Sequence, residues 1–453
     1  MRKKISLFTC ITAFITFTAT AQQKSYVELK GTLVHFNNSV QVEDMSELQY
    51  LLPLTDKRLI IADSTGHFNI KFPLAAANYF RIGRNILYLT PGDKMEVYID
   101  FNNPELARFS GTGSAANNFL RATPFPKAGS YLEGGSKVLA TPQQTIDFII
   151  AAGALKEKQL DTLQGVSEIF IKLELARVKA DMIDGFVFGK YYPPSAIRKD
   201  SAQSAKYTNQ FEALATPLKI QYSKNFVDHS LLKLVVYRDF ADDFVKADSL
   251  SKNAQPLKDW IKAGDIIDQM KHTSDKELLK SLKRSIDSIK TPAYHKAVNQ
   301  SLTRLLKFGK GDTPVDFTAA DINGNAVKLS SLKGKVIYID LWATWCGPCL
   351  KEMPSYEKLK TQYANDTNVV FISLSIDDNI GLWKANVASR NAGGNQWIID
   401  RSKLNSYNIV GIPRTLLIGS NFIMEDLNAP LPSDKKLPAI IDSLKTKSLL
   451  EAM

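Results

Sequence analysis

At 453 residues the chain is too long for a single hydrophobic core, which rarely grows past about 250 to 300 residues, so two or three domains are expected. With 44% apolar and 23% charged residues it has an ordinary globular composition, which excludes wholesale disorder and a membrane-filling protein. The net charge of +11 arises from Lys and Arg scattered among Asp and Glu rather than gathered in blocks, which points to a solvated surface and away from a nucleic-acid partner.

Arg2, Lys3 and Lys4 precede an apolar segment from Ile5 to about Phe17, and Ala19-Thr20-Ala21 follows. This is the pattern of a secretory signal peptide spanning residues 1–21, cleaved after Ala21. The apolar segment is short for a membrane anchor. A lipobox at Cys10 would leave almost no apolar region ahead of the cut, so lipoprotein anchoring is disfavoured. The mature chain is expected to be exported, soluble and periplasmic, and loss of the three basic residues lowers its charge from +11 to +8.

Residues 22–118 alternate short apolar-periodic segments with turn residues. Strands are predicted at Tyr26 to Phe36, Arg58 to Ala62, His67 to Phe72, Asn85 to Leu89 and Lys94 to Asp100, forming a small antiparallel β-sandwich. Gly111-Thr112-Gly113 reads as a plain turn, because a phosphate loop would need a strand before it and a helix after it.

Residues 119–306 read as an all-helical middle region without evident chemistry. Thr141-Pro142-Gln143-Gln144 supplies a helix cap with its reciprocal glutamine, and Ser274-Asp275-Lys276-Glu277 supplies another. Ile169, Leu173, Ala176, Ala180 and Ile183 recur at helical spacing as an apolar stripe, stopped by Tyr191-Tyr192-Pro193-Pro194. Further helices are predicted over Leu231 to Lys246 and Ala293 to Leu306. The five histidines are dispersed, with no pair at metal-ligand spacing.

The basic, glycine-containing linker Lys307 to Asp312 opens the last region, residues 307–453. Val336 to Leu341 and Val369 to Ile376 are unbroken apolar runs with helical Leu350 to Ala364 between them, the sign of parallel strands buried on both faces. Thr415 to Ile418 and Phe422 to Met424 predict a hairpin around Gly419-Ser420-Asn421, and Lys435 to Lys447 a closing helix. Directly after the first apolar run stands Trp342-Ala343-Thr344-Trp345-Cys346-Gly347-Pro348-Cys349. With Cys10 removed, Cys346 and Cys349 form the only disulfide possible within the mature chain. A staple across two residues closes almost no loop and constrains the unfolded chain least, whereas a thiol at a helix start is favoured as a thiolate. The pair is therefore read as reactive.

Asp316-Phe317, Asn323-Gly324, Leu329 to Lys335, the WCGPC stretch, Glu352-Met353-Pro354 and Gly411-Ile412-Pro413 together resemble the TlpA-like, or ResA-like, extracytoplasmic branch of the thioredoxin superfamily, over about residues 310 to 447. The β-rich region before it resembles the small β-domain that precedes thioredoxin domains in many exported Bacteroidota proteins. The resemblance implies a C-terminal α/β thioredoxin fold in a multidomain protein. It implies an exposed attacking thiolate at Cys346, a less exposed resolving thiol at Cys349, and a mixed disulfide between Cys346 and substrate. Asp340 matches a buried carboxylate and Glu352 the acid of the ResA-like branch; either could serve as the base that activates Cys349. Ile412-Pro413 matches a cis-proline loop on which an extended substrate segment can pair, with Trp345, Gly347 and Pro348 lining the contact and Arg414 a candidate for attracting acidic substrates. The redox-active disulfide is the only cofactor expected. Disulfide-containing envelope proteins are the expected substrates, with a membrane-linked electron donor. Two other functional classes stay open: a thiol peroxidase, given Thr344 two residues before Cys346, and an envelope binding or scaffold protein in which the dithiol is accessory.

Overall fold

A computed structural model describes residues 25–36, 40–52, 58–123, 129–271, 273, 275–409 and 411–451. The signal segment 1–21 with Cys10, as well as His272 and Ser274, lies outside the described residues.

The first region contains β1 (Tyr26–Val34), β2 (Val40–Gln41), β3 (Glu43–Asp44), β4 (Leu59–Ile60), β5 (His67–Pro73), β6 (Asn78–Ile82), β7 (Asn85–Leu89), β8 (Lys94–Asp100) and β9 (Arg108–Gly111). One sheet has the order β5-β1-β8-β9, another β3-β6-β7, and β2 pairs with β4. Val27, Leu29, Leu33, Phe80, Leu87 and Val97 fill a core shared by these sheets. The larger sheet is mixed rather than antiparallel, because β1 and β8 run parallel with Glu28 opposite Lys94. The intervening chain is long enough to return to the same end of the sheet, which a tight hairpin cannot do. Gly111-Thr112-Gly113 does stand between a strand and a helix, Ser114–Leu120, contrary to expectation. A side chain at Gly113 would come within 2.6 Å of the Asp93 carboxylate, so an anion sits where a phosphate would need donors.

From Ser114 to Lys307 the regular elements among the described residues are helical. Thr141 caps Pro142–Asp161 reciprocally with Gln144, as its sequence predicts. Leu231 to Lys246 is not one helix but three short pieces, His229–Lys233, Val235–Arg238 and Ala241–Ala247. In the helix Glu168–Phe188 Leu173, Ala180 and Ile183 of the apolar stripe are buried as expected, but Ile169 is 66% exposed and Glu174, Arg177, Asp181 and Asp184 are buried as well. Three of these charges pair at helical spacing. Arg177 donates from Nε at 2.8 Å to Glu174 Oε2 and from Nη1 at 2.6 Å to Asp181 Oδ2. The remaining carboxylate oxygens accept from Tyr79 Oη at 2.6 Å and Ser130 Oγ at 2.8 Å. A buried charge is tolerable only when paired and hydrogen-bonded in this way.

Tyr79 belongs to β6, so the network ties the strand region to the helices. Apolar packing does the same. Leu51, Tyr79 and Tyr88 share a core with Phe170, Leu173, Leu257 and Val298, across the boundary expected near residue 118. Arg238 and Trp260 donate to the backbone carbonyls of Ser46, Met45 and Glu47.

The last region holds β10 (Thr318–Asp321), β11 (Ala326–Lys328), β12 (Val336–Trp342), β13 (Val369–Ser375), β14 (Asn395–Ile398), β15 (Arg414–Ile418) and β16 (Met424–Asp426), in the order β11-β10-β14-β13-β12-β15-β16. Central β12 is parallel to β13 and antiparallel to β15. Its period-2 alternation sends Ile337, Ile339 and Leu341 into one core and Val336 and Tyr338 into another. The linker is anchored: Phe308 packs edge-on against Tyr407, and Asp312 pairs with Lys276 of the helical region at 2.5 Å.

The buried charge network yields a stability prediction. Arg177→Met should lower the urea midpoint by the equivalent of about 3 to 5 kcal/mol, because it strands two buried carboxylates. Apolar replacement of Glu174, Arg177 and Asp181 together should recover most of that loss.

Candidate active site

The site begins where β12 ends. Fully buried on both faces, β12 delivers Ala343, Thr344 and Trp345 to the tip of the helix Gly347–Gln362. Cys346 caps this helix, its sulfur accepting from the Cys349 N–H at 3.2 Å, and Pro348 lies in the first turn where no donor is lost. Cys346 and Cys349 are joined in a disulfide. Cys346 is only 5% exposed and Cys349 1%, so the expectation of an exposed Cys346 fails for this oxidised form. Cys349 lies on the helix face buried with Met353 and Tyr356, and the bond to it draws the Cys346 sulfur toward that core.

Asp340 lies on β12 between Ser373 of β13 and Thr415 of β15. It is buried, and its Oδ2 has no hydrogen-bond partner among the described residues. Burial first, then the nearby Glu352 charge, push its pKa up to about 7, against a pull from Arg390. Alternation along β12 puts Asp340 on the same face as Val336 and Tyr338, whose core also holds Tyr356 of the helix that carries Cys349. Glu352 is differently placed. Both of its oxygens accept from Ser433, at 3.0 Å from the backbone N–H and 2.9 Å from Oγ.

The peptide bond between Ile412 and Pro413 is cis, as the loop's sequence suggests. Both residues are partly buried, while Trp345 is 61% exposed and Gly347 and Pro348 are exposed beside it. Trp342 is fully buried, with the Arg390 guanidinium 4.9 Å from its ring centre. Arg414 is not free at the site; it lines a small enclosure with Met270, Leu279 and Leu305 of the helical region.

One residue escaped sequence reasoning. The Asp377 carboxylate accepts from the Thr344 N–H at 3.0 Å, from Thr344 Oγ1 at 2.7 Å and from Ser375 Oγ at 2.7 Å, fixing the loop that precedes Cys346. Nothing local marks it, since Thr344 is 33 residues away. The proton that Thr344 would offer a peroxide is thus already engaged, which weighs against the peroxidase class.

The Redoxin family model matches residues 309–418. The thiol-disulfide oxidoreductase ResA of Geobacillus kaustophilus is 30% identical over 140 residues, 30% of this chain and 78% of that protein. The thioredoxin-like protein YneN of Bacillus subtilis is 27% identical over 134 residues, 29% of this chain and 79% of that protein. Among solved structures, the thioredoxin domain of a thiol-disulfide oxidoreductase from Bacteroides vulgatus is 26% identical, covering 30% of this chain and 97% of that one with a TM-score of 0.28. Through its C-terminal region, then, this chain belongs to the ResA/TlpA-like thiol-disulfide oxidoreductases of the thioredoxin superfamily.

Proposed function

We propose that the protein is an exported, periplasmic reductase of protein disulfides that works through a mixed disulfide at Cys346. The observation that carries the reading is a redox-closed cysteine pair at a helix start, with a buried carboxyl on the strand face that packs against the same helix, its Oδ2 unpartnered among the described residues. In the reduced protein the Cys346 thiolate is favoured by the helix dipole and by the Cys349 N–H already aimed at its sulfur. It attacks one sulfur of a substrate disulfide, and the other sulfur leaves as a thiolate and takes up a proton. Cys349, deprotonated, then attacks the Cys346 sulfur, restores the internal disulfide and releases the second substrate thiol. Two electrons and two protons pass to the substrate, and a dithiol donor must return them.

Asp340 is the base we assign to Cys349. With a pKa up to about 7 it exchanges protons near neutrality, whereas both Glu352 oxygens are engaged by Ser433. Glu352 acts on Asp340 through its charge. The cis Ile412–Pro413 loop at the start of β15 is proposed to pair with an extended substrate segment, with Trp345, Gly347 and Pro348 lining the contact. No group beyond the cysteine pair is needed to carry the electrons. The substrates are proposed to be disulfide-containing envelope proteins and the donor a membrane-linked dithiol, with residues 22–118 and 119–306 positioning substrate.

Cys346→Ser should abolish insulin-disulfide reduction by the reduced protein, and retained activity would overturn the reading. Cys349→Ser should instead accumulate a mixed disulfide, visible as an added mass that a thiol reductant removes. Asp340→Asn should slow mixed-disulfide resolution by about 10²-fold or more and erase the rise in rate through pH 7. The same substitution should stabilise the oxidised protein. An acid whose folded pKa is raised binds its proton more tightly when folded, so its contribution is fully present below about pH 4 and is lost as pH rises toward about 7. The gain on replacing it should therefore be absent at pH 4 and on the order of 4 kcal/mol at pH 8, read from urea midpoints.

A further inference from the structure

The loop that carries Ile412 and Pro413 has both of its ends in one place. Asn408 ahead of it and Arg414 behind it line the same enclosure, so the chain leaves that point, passes the cis peptide bond and returns. Antiparallel pairing sets Arg414 opposite Leu341, one residue from the end of β12, and Ile412 packs against the core that holds Cys346 and Cys349. The other wall of the enclosure comes from the helical region. Met270 lies in the helix Ala254–Lys271, Leu279 in Lys276–Ser281 and Leu305 in Pro292–Lys307. Three helices thus meet the two ends of one loop.

The enclosure is a joint rather than a ligand site, since its volume of about 20 Å³ holds about one water. Arg414 brings packing to it. The Arg414 Nε is buried with no hydrogen-bond partner among the described residues, and burial lowers the pKa of the guanidinium against a pull from Asp426. Its carbon stem, on the strand face shared with Leu416 and Ile418, is what meets the apolar helical side chains. The helical region is also fixed to this end of the sheet independently of Arg414. Lys276 pairs with Asp312 at 2.5 Å, and Gly311 and Asp312 exchange backbone hydrogen bonds with Met424 of β16 at 2.8 Å. Phe308 packs on Tyr407, the residue before Asn408. The wall behind the loop is therefore held to the sheet, and a loop resting on it inherits that position.

We propose that the helical region sets the placement of the Ile412–Pro413 loop through the joint that Leu305 and Arg414 share, and so sets how well an extended polypeptide disulfide, as opposed to a small one, is presented to Cys346. Leu305 and Arg414 are positioning residues that act on substrate through the loop. The proposal rests on the reading in which this loop pairs with substrate, and adds the residues that hold it in place.

The test follows oxidation of the reduced full-length chain in a single turnover by two probes. One is an extended peptide carrying one cysteine in mixed disulfide with glutathione. The other is hydroxyethyl disulfide, which has no backbone to pair with the loop. Leu305→Ala opens the joint from the helical side and Arg414→Ala from the strand side. Each should lower the second-order rate constant for the peptide roughly tenfold, and the double variant should fall no further than either single one. Leu305→Met, which keeps the volume, should restore the unaltered rate, and hydroxyethyl disulfide should oxidise Leu305→Ala as fast as the unaltered chain. Urea midpoints identify a variant that fails to fold, and the other single variant then decides by the same probes. An unchanged peptide rate in a folded single variant, or losses that multiply in the double variant, overturns the joint. So does an equal loss with hydroxyethyl disulfide. Ile412→Pro, which removes the backbone N–H of the loop, reads the pairing itself. If it slows the peptide alone while the joint variants change nothing, the pairing stands and the joint falls. If it slows neither probe, the pairing falls and the joint with it.

Discussion

Burial of β12 on both faces is the constraint from which the site follows. All seven of its residues are buried, and both of its edges are hydrogen-bonded, to β13 and to β15. A strand so enclosed has one position and one register, because a slip by a single residue would exchange the two cores. The loop that carries the cysteines inherits that fixity. Asp340 is the cost of the arrangement: an acid in the middle of an apolar strand, with one oxygen unpartnered among the described residues, that holds its proton to near neutrality. A group of that kind serves structure poorly and proton transfer well.

The remainder of the site is assembled from segments that leave the same region of the sheet. The loop after β12 supplies Cys346, the segment after β13 supplies Asp377, and the loop before β15 supplies Ile412 and Pro413. In sheets of this type ligands gather where parallel strands end, since chain exits there converge and no strand continues across the opening. Asp377 links the first two segments through Thr344, by hydrogen bonds at 2.7 and 3.0 Å.

The two regions ahead of the linker are held together by more than adjacency. Tyr88 packs between Tyr79 and Phe170 at ring separations of 5.1 and 5.0 Å, and Tyr79 also reaches the Glu174 carboxylate. Strands and helices here form a common core. The linker carries this continuity on through Phe308 on Tyr407 and Lys276 on Asp312. The catalytic region is therefore seated on its neighbours, which gives the preceding three hundred residues a physical means of orienting it.

By itself the sequence determined what depends on a few neighbouring residues. The Thr141 cap, the all-apolar β12 and β13, the cysteine pair at a helix start and the Ile412-Pro413 dipeptide act over one or two turns of chain, where backbone chemistry is decided. The acid in β12 was legible for the same reason, as a polar residue interrupting an apolar run. Only the tertiary structure decided the rest. It buried Cys346, engaged Glu352 through Ser433 at a separation of 81 residues, and supplied Asp377 to Thr344 across 33. It also buried Glu174, Arg177 and Asp181 of Glu168–Phe188 beside Leu173, Ala180 and Ile183 of the apolar stripe, because Tyr79 and Ser130 were there to complete the carboxylates. Burial and choice of partner are settled by which distant segments pack together, and periodicity along the chain carries no record of that.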